Sequence, residues 1–137
     1  MNLIFVDTVY WVATGRPGDQ WAEAARRARA SLGAVRLVTT DEVLSEFLAA
    51  LSAGGPAVRR AAVEMVRAIH SDPNVRVVPQ TRETFLKALE RYERRLDKEY
   101  SLTDCSSMNA MDSEQITQVL THDHHFGQEG YMVLIAK

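Results

Sequence analysis

The chain has 137 residues, 46% of them hydrophobic and 25% charged, which suits one domain with one core over residues 1–137. A formal net charge of −2 argues against coating nucleic acid by bulk electrostatics, and the single cysteine, Cys105, excludes an internal disulfide and a Cys-rich zinc site. No apolar run approaches the ~20 residues of a membrane span, and the start MNLIFVD has no basic leader or small-residue cleavage site, so a cytoplasmic protein is expected.

Apolar runs with β-branched residues alternate with segments of helical period. Leu3 to Val6 reads as a buried strand and Thr8 to Thr14 as a short helix. The loop Gly15 to Asp19 leads into a helix over Gln20 to Leu32. Val35 to Val38 is a second strand. Asp41 to Ala53 is a helix with Val43, Leu44, Phe47, Leu48 and Leu51 on one stripe. The Gly54-Gly55-Pro56 breaker separates it from a helix over Ala57 to His70. Val75 to Val78 is a third strand, Thr81 to Asp97 a long helix, and Thr103 to Asp112 a shorter one. Thr117 to Leu120 and Met132 to Ile135 are the last strands. Strands separated by helices imply parallel pairing with right-handed crossovers. The expected fold is α/β, a three-layer α/β/α sandwich around a mainly parallel five-stranded sheet.

Four acids then stand out. Asp7 directly follows the first strand, Asp104 opens a helix, and Asp123 follows the fourth strand. Glu46 lies about a turn into the helix after the second strand. Open α/β sheets place their ligands at the carboxyl ends of the strands, so all four fall at one rim. Each has an ordinary explanation by itself. Asp7 suits an N-cap. Ser101 and Asp104 fit an S-x-x-D capping box. Asp123 suits a turn. Glu46 follows Glu42 by one turn, a repulsive spacing, and lies nearer the apolar stripe. Together, without a counter-charge, the acids should raise one another's pKa values. Mg²⁺ or Mn²⁺, which suit hard oxygen ligands, would reverse this and activate water for attack on a phosphodiester.

The segments FVDTVYW, TTDEVLSEFL, YSLTDCSSM and LTHDHHF, in that order, resemble the four acidic motifs of the PIN-domain nucleases, in particular the small VapC-type ribonuclease toxins. The resemblance runs from Asp7 to the final strand. It implies that Asp7, Asp104 and Asp123 bind Mg²⁺ (or Mn²⁺), directly or through water. It implies that Glu46 shapes the site and assists the nucleophile, with Thr8, Ser107 and Thr121 supporting through their hydroxyls. It further implies an RNA substrate, a homodimer, and a cognate antitoxin that occludes the site. Two positions depart from the family pattern. Val9 stands where many relatives have a small polar residue, and Asp112 stands where many have a basic one.

Other clusters read more plainly. His122, His124 and His125 flank Asp123, but no HExxH spacing or cysteine partner supports zinc, so they are expected as neutral loop residues beside the site. Interleaved acids make Arg91, Arg94, Arg95 and Lys98 mainly a solvated helix face, with contact to RNA phosphates as the second reading. Tyr10 and Trp11 suit core or dimer packing rather than base stacking. Cys105 beside Asp104 is a poor nucleophile. The competing functions are a phosphoryl-transfer domain of haloacid-dehalogenase or receiver type and a non-catalytic binding domain. The former needs a second Asp where Val9 stands and a lysine near the site, for which Lys87, Lys98 and Lys137 are poorly placed. The identity of the RNA target is not written in the sequence.

Overall fold

A computed structural model describes residues 2–137. The elements are β1 (Leu3–Val6), α1 (Thr8–Gly15), α2 (Ala22–Leu32), β2 (Arg36–Thr40), α3 (Asp41–Ala50), α4 (Pro56–Ser71), β3 (Val75–Val78), α5 (Arg82–Arg94), α6 (Leu102–Ser113), β4 (Gln118–Leu120), α7 (His124–Gln128) and β5 (Met132–Val133). The sheet order is β3-β2-β1-β4-β5, and every neighbouring pair is parallel. The helices cover the sheet in an α/β/α sandwich. Ile4, Phe5 and Val6 of the central strand are fully buried, as a parallel sheet covered on both faces requires.

The strands and helices fall where the apolar pattern puts them, with differences at their ends. The second strand runs on through Thr39 and Thr40, which pair with Val77 and Val78 of β3. Thr39 is fully buried, yet its hydroxyl accepts from Trp11 Nε1 (3.3 Å) and donates to the Val6 carbonyl (2.9 Å). That pairing removes the penalty of burying a hydroxyl. It also settles Trp11, which is a core residue together with Tyr10. The second helix starts at Ala22, two residues late, because the Asp19 carboxylate takes the Trp21 amide (2.8 Å) and holds a turn. α3 stops at Ala50 and α5 at Arg94, each followed by a tight turn. α7 is an additional five-residue helix, too short to show a period. β5 ends at Val133, although Leu134 and Ile135 still hydrogen-bond to the carbonyls of Val119 and Thr121.

Within α3, Val43, Leu44, Phe47 and the following Leu51 are buried, and Leu48 is half-buried. Gly15, at the end of α1, lies against this layer. A Cβ there would sit 2.9 Å from both Met65 Sδ and the Phe47 ring, so only glycine lets α1 approach α3 and α4 this closely. Among the described residues, no helix is long and apolar enough to cross a membrane.

Candidate active site

The sheet order reverses at its centre. From β1 the chain moves outward to β2 and β3, then returns to place β4 on the other side of β1. Such a reversal opens a crevice beyond the carboxyl ends of the two strands. Asp7 leaves β1 at this point, and its amide donates to the Leu120 carbonyl at the end of β4 (3.3 Å).

Asp7 is 3% exposed. Its side chain makes no capping hydrogen bond to α1, so the ordinary reading of this residue fails. Its Oδ2 accepts instead from the Thr121 hydroxyl (2.9 Å). The Thr121 hydroxyl oxygen in turn accepts from the Asp123 amide (3.1 Å), which ties the start of the Asp123 turn to Asp7. Burial pushes the Asp7 carboxyl up to about 7. The nearby Thr8 amide and the Thr121 hydroxyl oppose that rise, while the charges of Asp104 and Glu46 add to it. Glu46, half-buried on α3, therefore shares a field with Asp7 although it follows a different strand.

Asp104 is 7% exposed and does two things at once. It closes the capping box of α6, its Oδ2 accepting from the Ser101 amide (3.1 Å) while its own amide donates to Ser101 Oγ (3.0 Å). The same Oδ2 lies 3.2 Å from His125 Nδ1. Burial raises the Asp104 pKa and the Asp123 charge adds to the rise, against the Ser101 amide and His125. Asp123 caps α7, accepting the His125 amide at 2.9 Å, and its Oδ1 lies 3.3 Å from the same Nδ1. Thus the local roles of Asp104 and Asp123 as caps are real. The fold places both caps at one rim.

The hydroxyls named with the acids divide. Thr121 is the link between Asp7 and Asp123. Thr8 Oγ1 and Ser107 Oγ are buried without a hydrogen-bond partner. Buried polar groups rarely stay unpaired, and two orphans on the residues next to and one turn after the buried acids fit a site that takes a further ligand. The strongest influences on Asp7 are burial, the Thr8 amide, the Thr121 hydroxyl and the charges of Asp104 and Glu46, none of them a cation. Oxygen-rich, short of positive charge and largely buried, the donor set fits a hard divalent cation.

Several contacts escaped sequence reading. His125 is half-buried and contacts both Asp104 and Asp123; its signal was its place two residues after a capping Asp. Glu42 is not a free surface acid, because it accepts from the Ser106 hydroxyl and joins α3 to α6. In the Arg91 to Lys98 cluster, Arg94, Arg95 and Lys98 are exposed as expected of a solvated face, while Arg91 turns inward. Arg91 donates to Asn109 (3.1 Å), Asp112 (3.0 Å) and Glu129 (3.2 Å), and Arg95 to Glu129 (3.1 Å). Asp112 also accepts from the Tyr131 hydroxyl (2.6 Å), so it belongs to this network. Trp21 stacks on His122 at 3.9 Å between ring centroids.

A sheet with this reversal and these acids at its switch point defines a class, and the chain falls in it: residues 4–128 match the PIN domain, and the protein belongs to the PIN-domain family. It is 33% identical over 130 residues to the 23S rRNA-specific endonuclease VapC20 of Mycobacterium tuberculosis, in both the CDC 1551 / Oshkosh and the H37Rv strains, covering 95% of this chain and 96% of the relative. It also superimposes on the crystal structure of Mycobacterium tuberculosis VapC20, described as a sarcin–ricin loop cleaving toxin. The TM-score is 0.85 at 31% identity, over 97% of this chain and 99% of the other.

Proposed function

We propose that this protein is a divalent-metal-dependent endoribonuclease, the toxin of a toxin–antitoxin pair, acting on structured ribosomal RNA of the sarcin–ricin loop type. The observation that carries the reading is Asp7, a carboxyl 3% exposed at the switch point of the sheet, held by the Thr121 hydroxyl and acted on by the charges of Asp104 and Glu46. Asp7, Asp104 and Asp123 are the residues that hold Mg²⁺ or Mn²⁺. Glu46 acts at one remove, by orienting the attacking water and adding negative potential at Asp7. Thr121 fixes the Asp7 carboxylate, and the Thr8 and Ser107 hydroxyls are free to meet a ligand or its water. The bound cation would lower the pKa of a water molecule and neutralise charge on the phosphodiester during in-line displacement.

The substrate class comes from the VapC20 relatives, and identity over nearly the whole of both chains supports carrying it over. A cytoplasmic homodimer with a cognate antitoxin belongs to the same reading. The exposed Leu86, Leu89, Tyr92 and Leu96 of α5 and its end offer an apolar strip for a protein partner. A phosphoryl-transfer reading has no support from Lys87, which pairs with Glu83 on α5 (3.3 Å).

The test is cleavage of a sarcin–ricin hairpin with and without Mg²⁺ or Mn²⁺. Asp104→Asn keeps the shape and the capping acceptor and removes the charge. It should lower the rate by about 10²-fold or more, with an unchanged circular dichroism spectrum. Full activity in that variant, or full activity in chelator, would sink the proposal.

A further inference from the structure

We infer that His125 supplies a nitrogen ligand to the cation beside Asp104 and Asp123, so that the site is a mixed nitrogen–oxygen centre that favours transition ions over Mg²⁺. The inference rests on the reading that these acids hold a divalent cation.

His125 Nδ1 lies 3.2 Å from Asp104 Oδ2 and 3.3 Å from Asp123 Oδ1. Donor atoms held about 2.0–2.2 Å from one ion stand roughly 3.0–3.5 Å from each other. Both spacings fall in that interval, so Nδ1 stands at the distance of a shared coordination edge from each carboxylate. The ring is also held in place. Its amide donates to Asp123 (2.9 Å), and its edge or face meets the Tyr100 ring at 5.3 Å and 65°. Tyr100 is fixed by its hydroxyl on Glu129 (2.9 Å). A metal-ligating histidine needs that kind of support.

His124 is the weaker candidate. It is exposed, with Nδ1 3.9 Å from Asp123 Oδ1. Asp123, His124 and His125 still form a group whose donor atoms all lie within 4.8 Å of one another, so His124 serves as the control. A zinc site made of the three histidines remains unsupported. What the fold adds is one histidine between two carboxylates.

Without metal, both carboxylates are acceptors, so Nδ1 carries the hydrogen that bridges them. Coordination needs the other tautomer. In that tautomer Nδ1 offers its lone pair and Nε2 carries the hydrogen. Imidazole nitrogen suits later first-row ions, whereas Mg²⁺ prefers oxygen.

The experiment uses the whole chain loaded with Mn²⁺ for pulsed electron paramagnetic resonance, and calorimetric titration with Co²⁺ and Mg²⁺. A directly bound histidine gives a nitrogen hyperfine coupling that a merely structural histidine does not. The coupling is expected in the wild type and in His124→Phe, and absent in His125→Phe, which keeps a ring against Tyr100. His125→Phe should weaken Co²⁺ binding by about tenfold or more and Mg²⁺ binding by no more than about twofold. Metal bound without nitrogen coupling in the wild type would overturn the inference and leave the nuclease reading standing. Coupling that disappears in His124→Phe instead would also overturn it. A wild-type protein that binds none of these ions would overturn the nuclease reading itself. If His125→Phe fails to fold, the wild-type and His124→Phe spectra decide the matter.

Discussion

Two clusters of charge lie close together in this molecule, and their carboxyls shift in opposite directions. At the rim, Asp7 is almost fully buried with one side-chain donor, Thr121, and is pushed up to about 7 by burial, with Asp104 and Glu46 adding to the shift. Behind the rim, the Glu129 side chain is 9% exposed and receives Arg91, Arg95 and Tyr100 at 3.2, 3.1 and 2.9 Å. Burial pushes Glu129 up as well, but hydrogen bonds from Arg95 and Tyr100, with the charge of Arg95 and the Arg91 hydrogen bond, outweigh it and hold the carboxyl below the ordinary glutamate range. Burial raises both carboxyls, and the net shifts part because Glu129 has its counter-charge built in. The satisfied cluster stiffens the fold, and the unsatisfied one has affinity left over for a ligand. Tyr100 joins them, its hydroxyl on Glu129 and its ring against His125.

The largest effect should come from breaking the satisfied cluster. Arg91 links α5 to Asn109 and Asp112 of α6, and to Glu129 and Tyr131 beyond α7. Arg91→Ala leaves Glu129 buried with Arg95 as its remaining cation. Removing one partner of a buried pair is expected to cost on the order of 3 kcal/mol, read as a lower urea midpoint with an unchanged slope. A loss under about 0.5 kcal/mol would show that the network does not stiffen the fold.

The comparison sharpens when each acid is neutralised and stability is followed against pH in metal-free protein. The Asp7 carboxyl has a raised pKa in the folded state, so its ionisation opposes folding. Its contribution is most favourable below the unfolded value of 3.8 and is lost as pH rises through about 7. Asp7→Asn should therefore stabilise the chain at pH 8 and make little difference near pH 4. Glu129 has a lowered pKa, so it stabilises above its unfolded value of 4.5, and that stability is lost as pH falls through the folded value. Glu129→Gln should destabilise at pH 7 and converge on wild type in acid. Thermal unfolding of both variants from pH 2 to pH 8 gives the two slopes, and equal signs would refute the contrast.

The difference between the clusters also marks what could be read in advance. Asp7, Glu46, Asp104 and Asp123 were legible because strand ends and helix starts leave a record in apolar period and in capping residues. A parallel sheet converts those local positions into one rim, so their shared placement followed from topology. Arg91 and Glu129 were not legible as partners. They are 38 residues apart, and on α5 an arginine among glutamates looks like solvated surface until α6 and the chain after α7 pack over it. The Glu42 contact is equally remote in sequence, since its partner Ser106 lies 64 residues further along. His125 lies beside the acids as expected, in the short helix α7 rather than a loop. Spacing rules for histidine clusters look for several histidines, and here one histidine is placed by a capping aspartate two residues before it.

Thr121 offers the smallest and most local test of the contrast. Its hydroxyl donates to Asp7 and accepts from the Asp123 amide, and the side chain is fully buried. Thr121→Val keeps the shape, so the core around it should survive. Losing the donor takes away one of the two groups that oppose the rise at Asp7, so the Asp7 carboxyl should move further up. The Asp123 amide also loses its acceptor. A pair of such losses normally costs about 1–3 kcal/mol. At pH 8, where Asp7 ionises, the cost should lie in the upper part of that range. Near pH 4, where Asp7 is protonated, only the amide contribution should remain, at about 1 kcal/mol. A Thr121→Val penalty that does not change between pH 4 and pH 8 would mean that Thr121 serves packing alone and leaves Asp7 unaffected.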